Sequence, residues 1–98
     1  MKRRIACRIL PGQFDNEQVV IFKSFDGKDL SLFAPGTELE FAGEPSFDSP
    51  VPGRMEVLLL GRKNGLALIR LPRQIPGADY FATVQEDCIE EVPVVSHV

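Results

Sequence analysis

Eight glycines and eight prolines are spread so evenly through 98 residues that few uninterrupted stretches reach the ~11 residues of a typical helix. The pattern favours short strands joined by turns. Residues 4–10 alternate, with Ile5, Cys7 and Ile9 on one face and Arg4, Ala6 and Arg8 on the other. Residues 19–25 are β-branched and aromatic and run into Asp26-Gly27, a pair suited to a two-residue type I′ turn, so residues 28–34 are the expected return strand. Pro35-Gly36 suits the centre of a type II turn, and residues 37–42 continue with Leu39 and Phe41 facing away from Glu38 and Glu40. Residues 43–53, which hold Pro45, Pro50 and Pro52 with Ser46 and Ser49, are expected to be the longest loop. Asn64-Gly65 is the strongest hairpin signal and joins strands over 54–61 and 66–71, with a further loop at 72–77.

Residues 79–92 fit two periods at once. Tyr80, Ala82 and Val84 alternate as in a strand, whereas Phe81, Val84, Cys88 and Val92 are spaced as on a helix. The strand-like composition of Tyr-Phe-Ala-Thr-Val decides for a strand to Val84, one helical turn at 85–88 and a short closing strand at 89–92. The expected fold is all-β: a small antiparallel barrel or sandwich with at most one short helical turn. A chain of this length holds one hydrophobic core, so residues 1–92 form a single domain and residues 93–98 a loose tail. No internal repeat or low-complexity segment is visible.

The closing stretch Asp79-Tyr80-Phe81-Ala82-Thr83-Val84-Gln85-Glu86-Asp87-Cys88-Ile89-Glu90-Glu91-Val92 resembles the end of an SH3-like barrel, where a strand, a one-turn helix and a last strand follow a tight hairpin. The resemblance covers roughly the last forty residues and names an architecture, not a family. The groove by which signalling SH3 domains grip polyproline has no match, because Tyr80 is the sole tyrosine and there is no tryptophan. Type II plasmid dihydrofolate reductases are also SH3-like, with a Val-Gln-Ile-Tyr strand, but here Val84-Gln85 is followed by Glu86-Asp87 and the activity is not carried over. They do show that a small barrel can form a site only on oligomerising.

Apolar residues make up 44% and charged residues 26%, a globular composition. A net charge of −3 gives no global positive field for nucleic acid. The basic start is followed by an apolar stretch that Arg8 interrupts and Pro11 ends, unlike a signal peptide, and nothing approaches the ~18 apolar residues of a membrane span. The expected compartment is the cytoplasm. Cys7 and Cys88, far apart and without CxxC spacing, read as small buried hydrophobes, although pairing of the first and last strands would bring them towards each other.

No nucleophile–base pair, phosphate loop or metal-ligand cluster is present, and the one histidine, His97, lies in the tail. No cofactor is expected, and the sequence points away from an enzyme. Glu86, Asp87, Glu90 and Glu91 read as a solvated acidic edge. Arg54, Arg62, Lys63, Arg70 and Arg73 form a basic region with one acid, Glu56, but residues 54–73 contain no aromatic on which a base could stack. The leading reading is a non-catalytic protein-interaction or self-assembly module, its expected partner itself, with another protein as the alternative. The alternatives are a nucleic-acid-binding barrel using the basic hairpin, and an oligomeric small-molecule-binding protein or enzyme with its site at a subunit junction.

Self-assembly follows from pairing each hairpin across its turn. With a two-residue turn at Asp26-Gly27, Val19, Ile21, Leu30, Leu32 and Ala34 take the core face and Val20, Phe22 and Phe33 the other. Across Asn64-Gly65, Leu58, Leu60, Ala67, Ile69 and Leu71 share one face and Val57, Leu59, Leu66 and Leu68 the other. The expected interface is therefore Val20, Phe22, Phe33, Val57, Leu59, Leu66 and Leu68, and the expected state a dimer or tetramer.

Overall fold

A computed structural model describes residues 2–13 and 16–90. The chain runs β1 (Lys2–Pro11), β2 (Glu17–Lys23), β3 (Asp29–Pro35), β4 (Leu39–Phe41), β5 (Val51–Lys63), β6 (Leu66–Arg70), β7 (Phe81–Gln85) and β8 (Ile89–Glu90). Every pairing is antiparallel, and the order across the sheet is β3-β2-β1-β5-β6-β7, with β4 added on β5 and β8 on β1. The only helical pieces among the described residues are two three-residue 3₁₀ turns, Gly36–Glu38 and Glu86–Cys88. The fold is all-β, and the curled sheet forms a half-barrel.

β1 is the organising strand. Along Lys2–Ile9 it pairs with β5 on one side; on the other, Arg8–Pro11 pair with β2 while Arg4 and Ile5 pair with β8. Its alternation sends Ile5, Cys7 and Ile9 into the concave side, where they meet Val20 and Phe22 of β2, Leu32 and Ala34 of β3, Met55 and Val57 of β5, Ala67 and Ile69 of β6, and Ala82 and Val84 of β7. Leu71 and Ile75 close one end. Each fully buried aliphatic or aromatic side chain contributes roughly 1.5–3 kcal/mol, and no polar residue among those described is buried to offset it.

The closing strand, 3₁₀ turn and short last strand fall where the sequence places them, at Phe81–Gln85, Glu86–Cys88 and Ile89–Glu90. The expected tail at 93–98 and the end of the last strand at 91–92 lie outside the described residues. Two local expectations change. Gly36–Glu38 wind into a 3₁₀ turn instead of a type II turn, and Val51-Pro52-Gly53 belong to β5, not to the preceding loop. Pro52 is tolerated there because it pairs only with Arg8 of β1, while β4 reaches no further than Gly53.

Both hairpins correct the predicted faces. Lys23 pairs with Asp29, Phe22 with Leu30 and Val20 with Leu32, so the first connection holds five residues, Ser24 to Lys28, rather than two. It is closed by the Ser24 N–H donating to the Lys28 carbonyl at 2.8 Å and the Gly27 N–H to the Ser24 carbonyl at 3.0 Å. That one-residue slip sends every side chain of β2 to the opposite face. Val20 and Phe22, expected outside, are core residues, and Val19 and Ile21, expected inside, are half-buried on the convex side. In the second hairpin the Asn64-Gly65 turn is as predicted, but Leu59 pairs with Ile69 and Gly61 with Leu68, leaving Leu60 as an extra residue in a bulge. Beyond it the faces exchange. Val57 is buried and Leu59 packs against the core, while Leu58 and Leu60 are exposed.

Candidate functional site

Four of the eight large exposed apolar side chains among the described residues, Leu58, Leu60, Leu68 and Phe81, lie on the convex face of β5, β6 and β7. The register places Leu58 opposite Arg70 and Arg70 opposite Phe81; two pairs along, on the same face, Gly61 faces Leu68 and Leu68 faces Thr83. Directly opposed residues stand about 4.5–5.5 Å apart, so these rows form a continuous surface. Leu58 is 40% exposed, Leu60 50%, Leu68 43% and Phe81 44%. Phe33, 42% exposed, stands apart on β3, and Phe47, 76% exposed, tips a small turn held by paired hydrogen bonds between Ser46 and Ser49.

Of the interface residues named from sequence, Phe33, Leu66 and Leu68 lie on the convex face and Leu59 is half-buried against the core. Val20, Phe22 and Val57 lie wholly within the core. Leu58, Leu60 and Phe81 were missed as exposed residues. The sequence does carry one signal for the first two: three consecutive leucines ahead of Gly61 break the alternation that a regular strand requires.

The basic region is divided by its acidic neighbours. Arg54 donates to Glu90 through Nε and lies 3.3 Å from Glu40, which also receives Arg4 at 2.7 Å. Those acids hold the Arg54 guanidinium above its ordinary value, the hydrogen bond to Glu90 contributing most. Arg62 lies 3.4 Å from Glu86 and Arg73 3.1 Å from Glu38. Exposed pairs of this kind are worth about 0–1 kcal/mol in stability, but they cancel local positive field. Lys63 is exposed beside the Asn64-Gly65 turn. The Arg70 guanidinium sits 5.7 Å above the Tyr80 ring, so β7 and its approach supply aromatic neighbours that lie outside residues 54–73.

Beside Arg70 and Tyr80 opens a cavity of about 340 Å³ whose rim carries Lys2 and Arg70 against Glu38 and Glu56. Its charges balance, and it holds no nucleophile with a base. Among the described residues no three His, Cys, Asp or Glu side chains are arranged to hold a metal ion. Glu91 and His97 lie outside those residues. The first and last strands do pair, yet Cys7 and Cys88 are both free thiols. Burial pushes the Cys7 thiol up to about 12, and burial together with Asp87 raises that of Cys88, so neither is an activated thiolate. No helix among the described residues is long and apolar enough to cross a membrane.

No family model matches the chain, and no curated protein or solved structure matches it.

Proposed function

We propose that the chain is a non-catalytic assembly module of small-barrel, SH3-like type that associates with further copies of itself through the convex face of β5, β6 and β7. The observation that carries this reading is the group of Leu58, Leu60, Leu68 and Phe81 on three neighbouring strands around Arg70, each two-fifths to one-half exposed. Soluble monomers rarely leave large aliphatic and aromatic side chains grouped in water. Covering each would contribute up to roughly 1 kcal/mol, since about half of its surface is already protected. The SH3-like assignment is supported by the order strand, 3₁₀ turn and last strand, with that last strand set against β1.

Light scattering on a size-exclusion column at tens of micromolar tests the reading. The expected mass is a multiple of the chain mass, lowered by Leu68→Asp. A monomer mass for the unaltered chain at every concentration overturns it. A second reading, nucleic-acid binding, draws on the Arg70–Tyr80 stack and Phe81 opposite Arg70. It is weakened by the acidic partners of Arg54, Arg62 and Arg73, and a failure to shift labelled RNA at low salt removes it.

A further inference from the structure

The main strand order ends in β3 and β7, two edge strands that differ in what covers them. Just beyond the two ends of the β6–β7 ladder the Leu71 N–H donates to the Tyr80 carbonyl at 2.7 Å and the Glu86 N–H to the Gly65 carbonyl at 2.8 Å, which fixes Ala82 and Val84 as the β7 residues bonded to β6. Phe81, Thr83 and Gln85 therefore turn their backbone groups to the open side. There the Thr83 carbonyl accepts the Phe25 N–H at 2.8 Å, and the Gln85 amide donates to the Phe25 carbonyl at 2.9 Å. The turn of the first hairpin thus lies on that edge.

For β3 the same alternation gives an edge that no second strand pairs with among the described residues, its end facing Arg73, Gln74 and Tyr80 across a cleft. The hydrogen bonds Ser24 to Lys28 and Gly36 to Asn16, at 2.8 and 3.1 Å, place the even-numbered residues Leu30, Leu32 and Ala34 in the bonded pairs with β2. Asp29, Ser31 and Phe33 then direct N–H and C=O outward, and among the described residues β2 is the only strand paired with β3. The devices that keep edges apart are missing. The strand has no lysine, its ladder to β2 runs without a bulge, and its one proline, Pro35, is the last residue. Its single charge, Asp29, is neutralised within the chain by Lys23 at 3.0 Å and Arg8 at 3.1 Å.

We propose that two copies of this chain join by antiparallel pairing of β3 with β3 about a two-fold axis at Ser31. A second copy fits this edge better than an arbitrary peptide because the edge is complementary to itself. Setting Ser31 against Ser31 brings Asp29 opposite Phe33 in both directions, engages every outward N–H, and leaves Pro35 outside the pairing. It also continues the apolar row of Leu30, Leu32 and Ala34 from one subunit into the next. The proposal rests on the self-association reading above and adds a contact separate from the β5–β7 face.

Ser31→Pro tests it, since the lost N–H serves only the outer edge. The expected result is a halved mass by light scattering with an unchanged far-ultraviolet spectrum. A mass unchanged by Ser31→Pro but lowered by Leu68→Asp overturns the β3 pairing alone, whereas a monomeric unaltered chain overturns self-association as well. Should Ser31→Pro fail to fold, Ser31→Cys combined with Cys88→Ser decides. Paired residues at the axis stand about 5.5 Å apart, within disulfide reach, so oxidised glutathione should link the copies into a covalent dimer. Absence of that dimer in a folded, oligomeric sample overturns the register.

Discussion

The two hairpins share the same kind of turn signal and fail to obey it in different ways. At Asp26-Gly27 the turn is where the sequence puts it, but the connection closes around five residues, so register and faces shift together. At Asn64-Gly65 the two-residue turn and its nearest pairs hold, and the faces exchange only past Leu60. A turn motif fixes where the chain reverses. Which face a side chain takes depends on loop length and on each bulge between it and the turn.

Deletions probe that difference most severely. Removing Ile21 shifts half of β2 by one position and expels either Val20 or Phe22 from the core, and it should abolish cooperative unfolding in urea. Removing Leu60 deletes only the extra residue and leaves both flanking faces as they are, so the protein should still fold cooperatively, destabilised by less than about 2 kcal/mol through lost local twist. An unfolded Leu60 deletion would break the account of the second hairpin.

Point substitutions sharpen the face assignments. Phe22→Ala should cost about 3–5 kcal/mol and Met55→Ala about 2–5, while Phe33→Ala and Leu60→Ala should each cost under about 1 kcal/mol in the dissociated subunit. Equal losses for Phe22 and Phe33 would restore the register predicted from Asp26-Gly27. A smaller effect, about 1 kcal/mol, is expected for Gly27→Ala and for Gly65→Ala. Both glycines sit at positive φ, 84° and 79°, with open space where a Cβ would stand, so the cost is conformational alone and alike in the two turns.

The smallest expected difference is in acid. Asp26 is held below its usual carboxylate range chiefly by the Ser24 hydroxyl, and Asp29 chiefly by Lys23. A carboxylate lowered on folding stabilises the native state above its unfolded value of about 3.9, and loses that contribution as pH falls through the lower folded value. The first hairpin should therefore loosen in acid sooner than the second. Amide exchange at pH 3 against pH 6 should show this, and Asp29→Asn should flatten the difference.

What could be read from the chain was local. The strand at Phe81–Gln85, the 3₁₀ turn at Glu86–Cys88 and the reversal at Asn64-Gly65 are each fixed by residues within a few positions of one another. What could not be read was set across the sheet. Pro52 sits in a strand because β1 lies beside it, Arg54 meets Glu40 and Glu90 from two other strands, and Arg70 finds Tyr80 from beyond the loop that follows β6. Leu58 lies outside, against expectation, because a bulge separates it from its turn, and Leu60 because it is the extra residue of that bulge. The convex surface was thus only partly legible: Leu66 and Leu68 were assigned outward, and Leu58, Leu60 and Phe81 were not.

The pairing of β1 with β8 brings Arg4 against Glu90 and Ile5 against Ile89, residues from opposite ends of the described chain. Closing so long a loop is entropically slow, and topologies dominated by such contacts fold over milliseconds to seconds. During synthesis the strand that organises the sheet emerges first, while its β5 partner and the last strand are still to be made. For that interval one side of β1 stays unpaired, which makes the newborn chain most vulnerable to mispairing before β5 has emerged.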